Sequence, residues 1–280
     1  MNSPFHLMEI YAEVAFSLPG HVAGDVPGKI HQILDTERAL VGWGDSLWGI
    51  HKGSHVETWG EVPTDAGAVI GGGRSPSGIL LMTKNEGGAR IFCLDSVGAV
   101  LWELPLSARV GRGGLTANGN VWTVEKWAES GKEYNRVCLL ALPDGECLAA
   151  TEVLSGGFIP WMACTSTASG VVVAHNSYDY EAARIGMLET SGQRWVDLDC
   201  GDVVAVVWEG DIIATVHDWE SPLTCYLWRV DPRGRAQKIA SRIWEELDCE
   251  PIFGYEGGAH LFNGNTWLRT SITDLVRARE

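Results

Sequence analysis

Hydrophobic positions in this chain fall in short runs of four to six residues, each set off by a tight polar turn. "GWGDSLWGIHK", "SPSGILLMTKN", "TANGNVWTVEK", "TASGVVVAHNS" and "VWEGDIIATVHD" all place a Gly, Asn-Gly or Ser-Gly turn before residues rich in Val, Ile, Leu and Trp. Runs this short, bounded by turn residues and rich in β-branched and aromatic side chains, predict strands. The turn glycines Gly44, Gly78, Gly119, Gly170 and Gly210 recur at intervals of 34, 41, 51 and 40 residues. A second series of turns, in "HKGSHVETW", "LDSVGAVLWEL", "LPDGECLAATEV", "LETSGQRWVDL" and "VDPRGRAQKIA", carries Gly53, Gly98, Gly145, Gly192 and Gly234, spaced 45, 47, 47 and 42.

A period in the forties with about four short strands per repeat is the sequence form of a β-propeller blade. The fold expected is therefore all-β, a single β-propeller domain over residues 1–280. In the third unit the four strands are expected near "GGLTA", "NVWTVE", "RVCLLAL" and "ECLAATEV". Small residues gather before the innermost strands, as in "GRGG" at 111–114, "SGG" at 155–157 and "CG" at 200–201, where strands crowd the axis. Near the C-terminus "GAHLFNGNTWLRTSI" reads as the first two strands of a last unit, and "HLMEIYAEVAFSL" as an N-terminal strand that pairs into that blade. Such pairing closes the ring and removes two open sheet edges. Five clear units plus the shared one make six blades, with five or seven left open by the weak last unit. Helical periodicity is confined to "HQILDTERAL" and "ITDLVRARE".

Charge narrows the partners. Thirty-six acidic against 21 basic side chains give a net charge of -15, which repels nucleic acid and anionic membranes and favours a basic protein. The seven cysteines contain no C-x-x-C pair and sit mostly in apolar runs, so they read as reduced core residues in a cytoplasmic protein. The N-terminal stretch lacks a basic leader region, Glu9 and Glu13 interrupt its apolar residues, and no run of 18 apolar residues occurs anywhere.

The second unit, "RIFCLDSVGAVLWEL", resembles the quinoprotein-type propeller repeat through Asp95, Gly98 and Trp102. The fourth unit keeps Gly192 and Trp195, and the fifth Asp231 and Gly234. Repeated double glycines are similar to those of kelch propellers. Both resemblances imply the propeller fold. Quinoprotein enzymes also use adjacent cysteines and a metal beside the quinone; no vicinal cysteines occur here, so no cofactor is expected.

Each strand after a first-series turn ends in a polar side chain, and aligning the units puts His51, Lys84, Glu125, His175 and His217 at one position. The long loops that follow, "KWAESGKEYNR", "NSYDYEAAR" and "DWESPLT", carry tryptophan, tyrosine and carboxylates. In a propeller these loops share one face. Aromatic side chains on loops serve as binding anchors, and surrounding carboxylates speed the approach of a cationic partner. The expected partner-binding set is His51, Glu125, Trp127, Glu129, Tyr134, His175, Tyr178, Asp179, Tyr180, Glu181, His217, Asp218, Trp219 and Glu220.

No nucleophile elbow, zinc-helix motif or P-loop is present. The leading expectation is a non-enzymatic protein-binding propeller, an acidic inhibitor or immunity-type antidote of a basic partner. The alternative is a metal-assisted carbohydrate lyase or hydrolase, with His51, His175 and His217 as ligands and Glu125 as acid or base. A scaffold subunit of a larger assembly is a third reading.

Overall fold

The strand Gly78–Asn85 is buried on both faces. Its Ile79 and Leu81 enter one apolar core with Leu40, Trp48, Ile50 and Phe92, while Leu80 and Met82 enter another with Cys93, Leu115 and Val121. A sheet covered on both sides needs apolar residues at every position, which is why "GILLM" is continuous rather than alternating. The cores thus lie between successive sheets. The structure is a computed structural model that describes residues 29–33, 38–43, 47–52, 55–156, 162–167, 169–175, 183–198, 202–208, 212–217, 224–231, 233–243, 250–255, 258–263 and 266–270.

The described strands follow one another as antiparallel meanders. Unit 1 is β1 (Lys29–Ile33), β2 (Arg38–Trp43), β3 (Leu47–Lys52) and β4 (His55–Glu61); unit 2 is β5 (Ala68–Ser75), β6 (Gly78–Asn85), β7 (Gly88–Leu94) and β8 (Val100–Pro105). Unit 3 is β9 (Val110–Leu115), β10 (Val121–Glu129), β11 (Lys132–Leu140) and β12 (Cys147–Ala150), with an extra strand β13 (Leu154–Gly156) on β11. Unit 4 is β14 (Met162–Ser166), β15 (Gly170–His175), β16 (Ala183–Glu189) and β17 (Gly192–Leu198). Unit 5 is β18 (Asp202–Trp208), β19 (Ile212–His217), β20 (Thr224–Val230) and β21 (Ala236–Ile243). β22 (Glu250–Tyr255), β23 (Gly258–Asn263) and β24 (Thr266–Thr270) form a three-stranded sixth unit. No helix occurs among the described residues, and the chain is an all-β propeller.

First strands lie innermost. β1 touches both β5 and β22, and β5 and β9 pair in parallel through Gly71 with Gly113 and Gly72 with Gly114. That pairing fuses units 2 and 3 into one sheet, and β18 with β22 fuses units 5 and 6 in the same way. Glycine is required at the crossing: a Cβ on Gly71 would collide with the Gly113 carbonyl. On the outer side, third and fourth strands are joined by one recurrent turn. In unit 2 the Asp95 carboxylate accepts bonds from the Val97 and Ala99 amides, and Gly98 takes a φ of 85°. In unit 5 Asp231 accepts from Arg233 and Arg235, and Gly234 takes 81°. The Asp and Gly of the quinoprotein-like resemblance are thus turn-building residues.

Several expectations shift. "HQILDTERAL" is not helical: Lys29–Ile33 and Arg38–Trp43 pair as strands. The turn at Gly44 joins the second and third strands of unit 1, not its first and second. Likewise "GAHLF" and "TWLRT" are the second and third strands of the last unit, and Glu250–Tyr255 is its first. Among the cysteines, Cys93 and Cys138 are buried but Cys147 is exposed. The N-terminal strand and "ITDLVRARE" lie outside the described residues.

Candidate functional site

Turns between second and third strands, and links from one unit to the next, share one edge of the ring, called here the lower edge. Lys84, His175 and His217 reach this edge at the ends of β6, β15 and β19, and Glu125 stands in the middle of β10, which continues beyond it. His51 does not. It lies near the end of β3, a third strand, paired with Ala39 and Val56, and so sits at the upper edge. The three histidines of the metal reading therefore do not share an edge. Among the described residues no three His, Cys, Asp or Glu side chains converge as metal ligands; His51 and His217 are described by strand register alone.

Of the aligned polar residues whose side chains are described, Lys84 and Glu125 bond inward and His175 is buried. Lys84 Nζ donates to the Val110 carbonyl at 2.7 Å and ties unit 2 to unit 3. Glu125 is 7% exposed and accepts from Arg136 Nε at 3.0 Å and from its terminal nitrogen at 2.5 Å. That bond holds the Arg136 pKa above its ordinary value. Nearby, burial and then the Glu125 charge push the Cys138 thiol up to about 12, so it stays protonated. His175 is 4% exposed; burial, reinforced by Arg184 opposite it, lowers its pKa to about 4. It is a neutral imidazole at pH 7. Glu125 and His175 therefore shape the edge from beneath it.

Removing Arg136 would strand a buried carboxylate. Because Arg136 itself is partly exposed, Arg136→Met is expected to lower stability by about 2 kcal/mol. The double variant Glu125→Leu/Arg136→Met should recover most of this in denaturant unfolding; a double variant as unstable as the single one would contradict the pairing.

The segment expected as a long loop in unit 3 is instead an extension of its strands. β10 and β11 pair without interruption from Val121–Leu140 to Glu129–Lys132, and only Ser130 and Gly131 turn, with φ of 52° and 78°. Two successive positive φ angles match the twist of a hairpin. The resulting arm is stiffened along its length. Trp127 stacks on Tyr134 with centroids 5.7 Å apart, the Arg109 guanidinium lies 4.6 Å over the Trp127 ring, and Lys126 pairs with Glu133 at 3.3 Å. β13 folds back to pair with Glu133–Asn135, while Thr151 bonds Val137 between β12 and β13. Trp127 and Tyr134 are partly buried, and Glu129 is exposed near the tip.

Sequence reasoning missed a second feature of this edge. A groove of about 700 Å³ runs between units 1 and 2, lined by Leu47, Pro63 and Asn85 with the carboxylates Glu61, Asp65 and Glu86. Asn85 builds its wall by donating to the Asp65 carbonyl and accepting from the Gly87 amide. The signal lay in two short stretches, "EVPTDAG" and "KNEGG", acidic and closed by glycine. Tyr178, Asp179, Tyr180, Glu181, Asp218, Trp219 and Glu220 lie outside the described residues.

No protein-family model matches the sequence, and no curated protein matches it. Solved propellers do match the fold. A chain in the crystal structure of the mitotic checkpoint complex is 12% identical with a TM-score of 0.53, covering 83% of this chain and 72% of that one. The Cps50 (Swd1) β-propeller domain of Myceliophteria thermophila is 10% identical with a TM-score of 0.51, covering 91% and 100%. Virginiamycin B lyase of Staphylococcus aureus, 10% identical over 88% and 95%, reaches a TM-score of 0.47, too low to carry a lyase assignment. The chain is a β-propeller at the level of fold. No helix among the described residues is long and apolar enough to cross a membrane.

Proposed function

We propose that this chain is a single-domain, six-bladed propeller, closed by its N-terminal strand, that binds a basic protein through its lower edge. One observation carries the reading: a braced hairpin arm bearing Trp127 and Tyr134 stands on the same edge as an acidic groove lined by Glu61, Asp65 and Glu86. An aromatic anchor held rigid before contact loses little entropy on binding. The groove carboxylates on the same edge attract cations and repel polyanions. Tyr178, Asp179, Tyr180, Glu181, Asp218, Trp219 and Glu220 are included in the proposed binding set for their aromatic and acidic side chains. With net charge -15, the partner class is a cationic polypeptide, and the role a stoichiometric inhibitor of it in the cytoplasm.

The test is affinity capture from native cells at low salt, then titration of the purified partner. Trp127→Ala should weaken binding by about 2 kcal/mol, roughly thirtyfold, with unchanged thermal stability. Trp127→Phe, which can still stack on Tyr134, should retain most of the affinity. Equal affinity of wild type and Trp127→Ala would remove this edge from consideration.

A further inference from the structure

The upper, outer rim of units 4 and 5 has the opposite sign to the rest of the molecule. Between 229 and 242 the chain carries Arg229, Arg233, Arg235, Lys238 and Arg242 against the single acid Asp231, five of its 21 basic side chains in one short stretch. Arg229, Arg233, Arg235 and Lys238 are all exposed, on the end of β20, the turn after it and the start of β21. This turn rests on the neighbouring unit. Gly234 lies against Val196 of β17, where a Cβ on the glycine would stand 3.3 Å from Cγ2. Arg194 is two residues before Val196, hence on the same face of β17, and is 61% exposed. Two chain segments distant in sequence thus bring their cations together.

Protection of a sheet edge is the plain explanation for charge on an outer strand. It does not explain the segregation of sign. Outer strands of units 1 and 2 carry Glu57 and Glu61, and Glu103; the residues flanking β12 in unit 3 are Glu146 and Glu152. The basic residues concentrate where units 4 and 5 meet, although edges elsewhere in the ring are guarded by acids. The described acids of the patch neutralise it in part: Asp231 pairs with Arg235 at 2.6 Å and Glu189 with Arg194 at 3.8 Å, while from 229 to 242 the sequence still carries five basic side chains against one acid.

We infer that this rim is a second interaction surface, specific for an acidic segment of a protein. Nucleic acid is disfavoured because a long polyanion extends beyond the patch onto a molecule of charge -15, whereas a short acidic segment ends within it. The rim and the acidic groove lie on opposite edges of the ring, so the two surfaces accept partners of opposite charge without competition.

The test uses the whole chain and a fluorescent hexaglutamate peptide in low-salt buffer, with single-stranded oligodeoxythymidine of about thirty nucleotides, long enough to run beyond the patch, and hexalysine as comparison probes. Wild type should bind hexaglutamate saturably and more tightly than the oligonucleotide. The double variant Arg233→Glu/Lys238→Glu, at exposed positions, should bind it about tenfold more weakly while retaining wild-type thermal stability and hexalysine binding. The substitution Glu86→Gln should leave hexaglutamate binding unchanged. Absence of hexaglutamate binding, equal binding by the charge-reversed variant, or tighter oligonucleotide binding would each overturn the assignment. None of these outcomes depends on the lower-edge partner, so the two readings fail separately.

Discussion

Gly71→Val is expected to destabilise the protein by about 4 kcal/mol or more, with a fall in Tm of about 12 °C. The reason is backbone against backbone. A Cβ on Gly71 would enter the Gly113 peptide, with its carbonyl carbon at 2.8 Å and its nitrogen at 3.2 Å, and neither strand can move because each is paired on its other side. Gly111→Ala is the control, since a Cβ there meets nothing within 4 Å and the φ is ordinary. Thermal unfolding followed by circular dichroism reads both. Equal Tm values would mean that β5 and β9 do not run side by side.

His175 should make stability fall with acid in a defined window. Its folded-state pKa is about 4, lowered first by burial and then by Arg184, against an unfolded value of 6.5. Below 6.5 the unfolded chain takes up a proton that the folded chain refuses, so folding weakens as pH drops towards 4 and the effect levels off below it. Above 6.5 both states are neutral and the term vanishes. The swing is about 3 kcal/mol. Met162 and Arg184 are its strand partners on either side, so neither neighbouring strand sets a carboxylate directly opposite it. Denaturant unfolding at pH 7 and pH 4.5 should show wild type losing more stability than His175→Leu. Parallel losses would place the imidazole in contact with water or an acid.

What the sequence revealed followed from which residues act locally. Turns at Gly98, Gly145, Gly192 and Gly234 need positive φ from one residue and recur with each unit, so their near-constant spacing announced the repeat. The first series was less uniform, and its shortest interval, 34, marked the error: Gly44 closes a different pair of strands from Gly78. That error carried His51 to the wrong edge. Trp127 and Tyr134 were legible as anchors, but not as a stacked pair, because "KWAESGKEY" reads as polar loop unless one sees that Ser130 and Gly131 alone make the turn. Glu125 and His175 looked like rim residues because both are titratable. Their burial depends on the neighbouring units, a contact that local pattern does not encode. The groove was hidden for the same reason, since its walls come from three segments brought together only by the ring.

The parallel pairings between first strands divide the ring mechanically. Units 2 and 3 are joined by backbone pairing of their first strands, as are units 5 and 6, while among the described residues the sheets of units 1 and 4 pair with no other unit. Units 1 and 4 are therefore held to their neighbours by side-chain packing and isolated bonds, such as those from the Ala117 amide to the Thr167 carbonyl and from Arg184 to Glu152 between units 3 and 4, and a pull on the ring would shear at such seams before it tore either fused sheet. The basic rim straddles one of those seams, at Val196 and Gly234. Anything bound across it would act as a clamp on a joint that no strand pairing among the described residues reinforces.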